Sequence, residues 1–169
     1  MISKKIILIG DFSTGKTSLI RRFVDNQFSD SYLSTIGVKI SRKKIPLDHE
    51  VIQGLIWDIE GGTEKKPVNK TYLTGAHGCI IVSDTTREET IAHIASYIEL
   101  VKSVSPNAPF VLALNKCDCI NETERETLYQ KVSQQYCSDT TDIYLTSAKS
   151  GEGVEEMFKA LARKMVGEE

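Results

Sequence analysis

The stretch Gly10-Asp11-Phe12-Ser13-Thr14-Gly15-Lys16-Thr17 constrains this chain more than any other. A glycine, four free positions and Gly-Lys-Thr sit between an apolar run, Lys5–Ile9, and the amphipathic start Leu19-Ile20-Arg21-Arg22-Phe23-Val24. A strand entering a helix through such a loop is the setting in which this pattern carries chemistry. Glycines let the backbone bend around an anion with its N–H groups pointing inward, and the helix aims its positive end at the same point. Lys16 brings a point charge to the outer phosphates, and the Thr17 hydroxyl is a ligand for Mg²⁺. With glycine at about 7% of residues, the fixed positions coincide by chance in roughly one chain of this length in a few hundred. A plain glycine turn is therefore the weaker reading, and Asp11 through Ser18 become candidate nucleotide contacts.

The rest of the chain alternates apolar runs with helical patterns. Strands are expected at Ile6–Ile9, Val38–Ile45, Val51–Trp57, Cys79–Ser83, Phe110–Leu114 and Ile143–Leu145. Helical spacing appears at Leu19/Phe23, at Ile91/Ile94/Ile98/Val101, at Leu128/Val132 and at Val154/Met157/Phe158/Leu161/Met165. The second and third strands, joined across Pro46–Glu50, read as a hairpin. The others are separated by helices and so should run parallel. The expected fold is one open α/β sheet with helices on both faces, whose site lies beyond the carboxyl ends of the strands.

The polar clusters obey that rule. Asp58 ends the third strand, Asn115-Lys116-Cys117-Asp118 follows the fifth, and Ser147-Ala148-Lys149 follows the sixth. A carboxylate at Asp118 can accept from guanine N1–H and its exocyclic amine, a donor pair that adenine lacks. Lys116 can lay its stem along the base or ribose, and Ser147–Lys149 can offer a backbone N–H to the guanine oxygen. Alone, each cluster is a common polar turn; behind a phosphate loop, in this order, they describe a guanine site. Asp58 can hold Mg²⁺ through water, Gly61 can turn its N–H to a terminal phosphate, and Thr35 can add a second metal hydroxyl. Without the phosphate loop, Asp58 would be an ordinary helix-cap or turn aspartate.

Composition excludes less. The chain has 169 residues, is 40% hydrophobic and has net charge −2, which gives no reason to expect nucleic-acid or membrane affinity. One domain, residues 1–169, is expected. Cys79, Cys117, Cys119 and Cys137 lack metal-ligand spacing and read as reduced thiols, as in a cytoplasmic protein. Ile2 replaces the glycine that myristoylation needs, and the ending Gly167-Glu168-Glu169 has no prenylatable cysteine. Membrane association is expected only through a tail after residue 169 or through a partner.

Together these motifs resemble a Ras-superfamily small GTPase over nearly the whole chain, and within it the Rab proteins. Thr35-Ile36-Gly37-Val38, Tyr72-Leu73-Thr74-Gly75-Ala76-His77-Gly78, Asn115–Asp118 and Thr146–Lys149 carry the likeness. The resemblance implies a phosphate-loop NTPase fold with strand order 2-3-1-4-5-6 and one antiparallel edge strand. It implies binding of GTP or GDP with Mg²⁺, the ion being held by Thr17, Thr35 and Asp58. Two segments, 29–38 and roughly 59–74, would reorder around the terminal phosphate and meet an effector, with exchange and activating factors as further partners. By position, Phe28 would pack on guanine, although a core aromatic at a helix end is an equal reading, and Tyr32 would close over the phosphates. His77 would be structural. Catalytic positions would be Lys16, Thr35, Gly61 and the residue after it.

That last position departs from the family pattern. The segment reads Asp58-Ile59-Glu60-Gly61-Gly62, so Gly62 stands where the family carries the glutamine that orients the attacking water. Glu60 replaces a small residue, and its charge is expected to repel phosphate. Phe12 stands where small residues are usual; in the family that position faces the terminal phosphate and the path of a partner's arginine, and an aromatic lying outward on solvent or on residues 29–34 is the alternative. The expectation is a GTP-binding switch that hydrolyses slowly. A non-hydrolysing GTP-bound scaffold is the alternative. A nucleotide or small-molecule kinase is weaker, because it leaves Asn115–Asp118 and Ser147–Lys149 unexplained and no arginine-rich lid is present.

Overall fold

The computed structural model describes residues 1–31, 34–136 and 142–168. In chain order the elements are β1 (Ser3–Gly10), α1 (Lys16–Asp25), β2 (Val38–Pro46), β3 (Val51–Ile59) and β4 (Gly78–Asp84). There follow α2 (Glu88–Ala92), α3 (Ile94–Val104), β5 (Phe110–Asn115), α4 (Glu122–Tyr136), β6 (Asp142–Leu145) and α5 (Val154–Val166). They form one six-stranded sheet in the order β2-β3-β1-β4-β5-β6. Only the β2–β3 pair is antiparallel, with Val38 opposite Ile59 and Pro46 opposite Val51. Every strand and the strand order match the sequence-based expectation.

The apolar runs explain the layers. β1 and β4 lie in the interior of a parallel sheet covered on both faces, which requires continuous apolar sequence rather than alternation. Ile6 and Leu8 pack toward α1 and α5, where the Phe23 and Phe158 rings stack at 4.0 Å. Ile7 and Ile9 pack toward the opposite cluster with Ile94 and Val101 of α3 and Val132 of α4. Cys79 lies fully buried in β4, and burial pushes its thiol up to about 12. Cys137 and Tyr32 lie outside the described residues. Among the described residues no helix is long and apolar enough to cross a membrane.

One helical pattern expected to be continuous is divided. The Ile91–Val101 periodicity spans α2 and α3, which are separated at His93 with φ −81 and ψ −6. That ψ lies about 35° from the helical value. The bend presents the His93 ring to the phosphate loop, across 82 residues of chain.

Candidate nucleotide site

The loop after β1 and the start of α1 are built to face an anion. Gly15 caps α1 in the left-handed region, φ 95, with no side-chain cap and no acidic residue in the first turn. A Cβ on Gly15 would stand 2.3 Å from Asn115 Nδ2, so glycine is required for space as well as conformation. Ser13 adopts φ 63 without being glycine. Such a residue costs on the order of 1 kcal/mol and is characteristic of functional loops. Lys16 is buried and donates to the carbonyls of Asp11 at 2.8 Å and Gly10 at 3.3 Å. Burial lowers its pKa to about 8, against the opposing charges of Asp58 and Asp11.

Around this loop lies a pocket of about 320 Å³. Phe12, Ser13, Gly15, Lys16, Thr17 and Ser18 line one side, with Phe28, Thr35 and Gly61 beside them. Asn115, Lys116, Asp118, Ala148 and Lys149 close the far end. Three expected contacts are placed behind the wall rather than on it. Thr14 is fully buried and donates to the Asp11 carbonyl. Ser147 is fully buried and donates to Asp118 Oδ1 at 2.7 Å, which aims that carboxylate. Asp11 turns its carboxylate to α3. Ser29, Asp30 and Ser31 of the 29–38 segment and Ile59 of the 59–74 segment also line the pocket, and Cys119 lines it outside any expected segment. For Cys119, adjacency to Asp118 was the only available signal.

The base end is braced from within. Asn115 is buried, donates from Nδ2 to the Thr14 carbonyl at 2.9 Å and accepts from Thr146 Oγ1 at 3.1 Å. Its side chain therefore ties the base loop to the phosphate loop. Lys116, at φ 63, donates to the Ser13 carbonyl and to Asp84 Oδ2 at 2.8 Å. Arg22 donates to the carbonyls of Ala148 and Lys149. Phe28 lines the pocket and also packs against the core, so both readings of it describe one placement.

The oxygens expected to hold Mg²⁺ come together. Thr17 Oγ1 donates to Asp58 Oδ2 at 2.6 Å and lies 2.7 Å from Thr35 Oγ1, which is 3.3 Å from the same carboxylate oxygen. Asp58 Oδ1 is buried without a hydrogen-bond partner among the described residues, and burial pushes the carboxyl above its ordinary pKa. A buried, underused carboxylate oxygen beside two hydroxyls suits a hard divalent ion. These residues fit Mg²⁺, which when bound would neutralise phosphate charge.

Residues 3–167 hold all of this, and the comparison with known sequences agrees. The Ras family matches residues 5–167. The chain belongs to the Ras family. It is 36% identical over 160 residues to the Ras-related protein Rab-1C of Dictyostelium discoideum, covering 94% of this chain and 78% of that protein. It is 33% identical over 163 residues to the Ras-related protein Rab-13 of Mesocricetus auratus, covering 96% and 79%. It is thus a Rab-like small GTPase.

The region of the second switch is held by contacts within the chain. Gly62 N–H donates to the Gly10 carbonyl at 3.0 Å, and Phe12 N–H donates to the Gly62 carbonyl at 2.9 Å, making a parallel bridge between Asp11 and Gly62. Asp11 Oδ1 accepts from the Tyr97 hydroxyl at 2.7 Å, and Oδ2 lies 2.6 Å from His93 Nδ1. Burial, and then the Asp11 carboxylate, hold the Tyr97 phenol well above its ordinary pKa. Arg87 donates to the Phe12 carbonyl at 2.8 Å. Phe12 lines the pocket with 41% of its surface exposed.

Glu60 corrects an expectation. Its carboxylate pairs with Lys66 at 3.0 Å and accepts from Gly37 N–H at 3.4 Å, and it is not among the pocket walls. Just past the end of β3, Lys66 and the Gly37 N–H draw the Glu60 carboxylate to themselves, while its neighbours Ile59 and Gly61 line the pocket. The Lys66 hydrogen bond lowers its pKa. Repulsion of phosphate by Glu60 is accordingly weakened.

Proposed function

We propose that this chain is a guanine-nucleotide switch domain, residues 1–169, which binds GTP or GDP with Mg²⁺ and hydrolyses GTP slowly. One observation carries the reading: Lys16, Thr17, Thr35 and Asp118 line one pocket, with Asp58 hydrogen-bonded to Thr17 and Thr35 behind it. Asp118, held by Ser147, reads the base. Lys16 and the first turn of α1 hold phosphate, and Gly61 offers its backbone beside Lys16. The bound metal would supply charge neutralisation at the phosphates.

Slow turnover follows from what surrounds the reacting end. Gly62 has no side chain to orient water, and its backbone is committed to the phosphate loop. Phe12 narrows the entry for water or a partner's arginine. An intact intrinsic site in this family turns over at roughly 4 × 10⁻⁴ s⁻¹. Single-turnover hydrolysis of pre-bound GTP is expected to run at least about tenfold slower. A rate equal to that of an intact site would refute slow hydrolysis, and equal binding of ATP would refute the guanine reading. The Asp11–Gly62 bridge also favours a second reading, a GTP-bound scaffold without turnover. Nucleotide content of the purified protein separates the two: the scaffold retains GTP, and the slow enzyme accumulates GDP. The effector surface is proposed on 29–38 and 59–74, with exchange and activating factors as further partners.

A further inference from the structure

The glycine at position 62 has a positive role that loss of a glutamine does not describe. A Cβ there would stand 2.6 Å from the Tyr97 hydroxyl and 3.2 Å from Val68 Cγ2. A Cβ on Gly61 would stand 2.6 Å from Phe12 Cα. At Gly61 the backbone lies directly against the phosphate loop and leaves no room for a Cβ, and at Gly62 the space is filled by the Tyr97 and Val68 side chains. Tyr97 fills the space a side chain at 62 would need, and it spends its hydroxyl on Asp11. His93 takes the other carboxylate oxygen, from the one place where the α2–α3 helix is bent. Gly62, Asp11, Tyr97 and His93 are therefore complementary parts of one strap.

Resting on the guanine-nucleotide reading, we propose that Tyr97 and His93 are positioning residues which, through Asp11, keep Gly61–Gly62 docked on the phosphate loop whichever guanine nucleotide is bound. Each bond in the strap joins protein to protein: Gly62 to Gly10, Phe12 to Gly62, Tyr97 and His93 to Asp11, and Arg87 to Phe12. None needs a terminal phosphate as donor or acceptor. A ligand shifts an equilibrium only by binding one state better than the other. Where the segment is already docked by its own contacts, a terminal phosphate adds little discrimination. The second-switch surface then stays the same with GDP and with GTP, and nucleotide sensing falls to the segment around Thr35.

Amide hydrogen exchange on the full chain tests this. Phe12 and Gly62 amides in wild type should exchange within threefold of each other's rates between the GDP-loaded form and the form loaded with a non-hydrolysable GTP analogue. Tyr97→Phe removes the hydroxyl donor with little change of shape. It should raise exchange at both amides at least tenfold in the GDP form and less in the analogue form, while β4 and β5 amides stay unchanged. A purely structural role would move both nucleotide forms equally. His93→Ala, at a ring that is half exposed, should act in the same direction if Tyr97→Phe folds poorly. A wild-type difference above threefold between nucleotides overturns the proposal, as does a variant whose two forms remain alike. Exchange in the nucleotide-free chain separates the two claims. Protection of Phe12 and Gly62 there supports the strap even if titration shows no preference for guanine over adenine nucleotides, a result that would sink only the functional reading.

Discussion

The two ends of the pocket are held by different kinds of residue. At the base end, Asn115, Lys116, Asp118 and Ser147 are the family's own residues, and their side chains brace one another and the phosphate loop. At the terminal-phosphate end, Phe12, Glu60 and Gly62 depart from the family, yet the segment is tied down by Asp11, Tyr97 and His93. The contrast separates recognition from reaction. Under the proposed function, discrimination among nucleotides needs a few aimed acceptors, and the Ser147-held Asp118 carboxylate is the one proposed for the base. Fast hydrolysis needs a side chain free to orient water, and the proposal of slow turnover rests on Gly62 offering only backbone there.

Breaking the base end should produce the largest effect. Asp118→Ala removes the acceptor of two hydrogen bonds to guanine, each worth roughly 1.5–3 kcal/mol when charged. Affinity for a fluorescent GDP should fall about 10³-fold by titration. Thermal stability should change little, because the carboxylate is exposed and Ser147 retains its bond from Ser150 N–H. A loss below tenfold would move base recognition elsewhere.

A smaller effect spans both ends through Lys16. Its pKa is lowered to about 8 by burial, and a neighbouring phosphate favours the charged form and raises it. Binding therefore takes up a proton above pH 8 and none well below it. Nucleotide affinity should be flat from pH 6.5 to 7.5. It should then fall with a slope approaching tenfold per pH unit as pH rises through 8 toward the bound-state pKa. A profile flat to pH 9.5 would show that Lys16 stays charged without phosphate.

The fold was legible because its signals are local. Continuous apolar runs mark buried parallel strands, and in a parallel sheet motifs that follow strands must converge on one edge. Thus Lys16, Asp58 and Asp118 could be placed together from spacing alone. The direction of individual side chains was not legible. Asp11 sits in a phosphate loop but points its carboxylate at α3, because Tyr97 and His93 approach from 86 and 82 residues away. Asn115 lines the pocket as expected, but its amide also serves as a strut to the Thr14 carbonyl, which the sequence did not indicate. Glu60 was misjudged because its partner, Lys66, lies across a turn whose path periodicity does not report. Such facts belong to packing between elements, and sequence patterns within elements carry no record of them.

The finest distinction is whether Gly62 is simply a missing glutamine or the fitted partner of Tyr97, and a double-mutant cycle reads it. Gly62→Ala places a methyl where the Tyr97 hydroxyl stands, 2.6 Å from the new Cβ. Overpacking of this kind costs about 1–3 kcal/mol by denaturant unfolding. Tyr97→Phe alone loses the Asp11 hydrogen bond, about 1 kcal/mol. If the two residues are fitted, the double variant should be less destabilised than the sum of the singles by about 1 kcal/mol, because removing the hydroxyl makes room for the methyl. Additivity within about 0.3 kcal/mol would mean that the loop shifts to accept the methyl unaided. Gly62→Gln could then orient water without any change at Tyr97, and the glycine would be no more than a lost catalytic side chain.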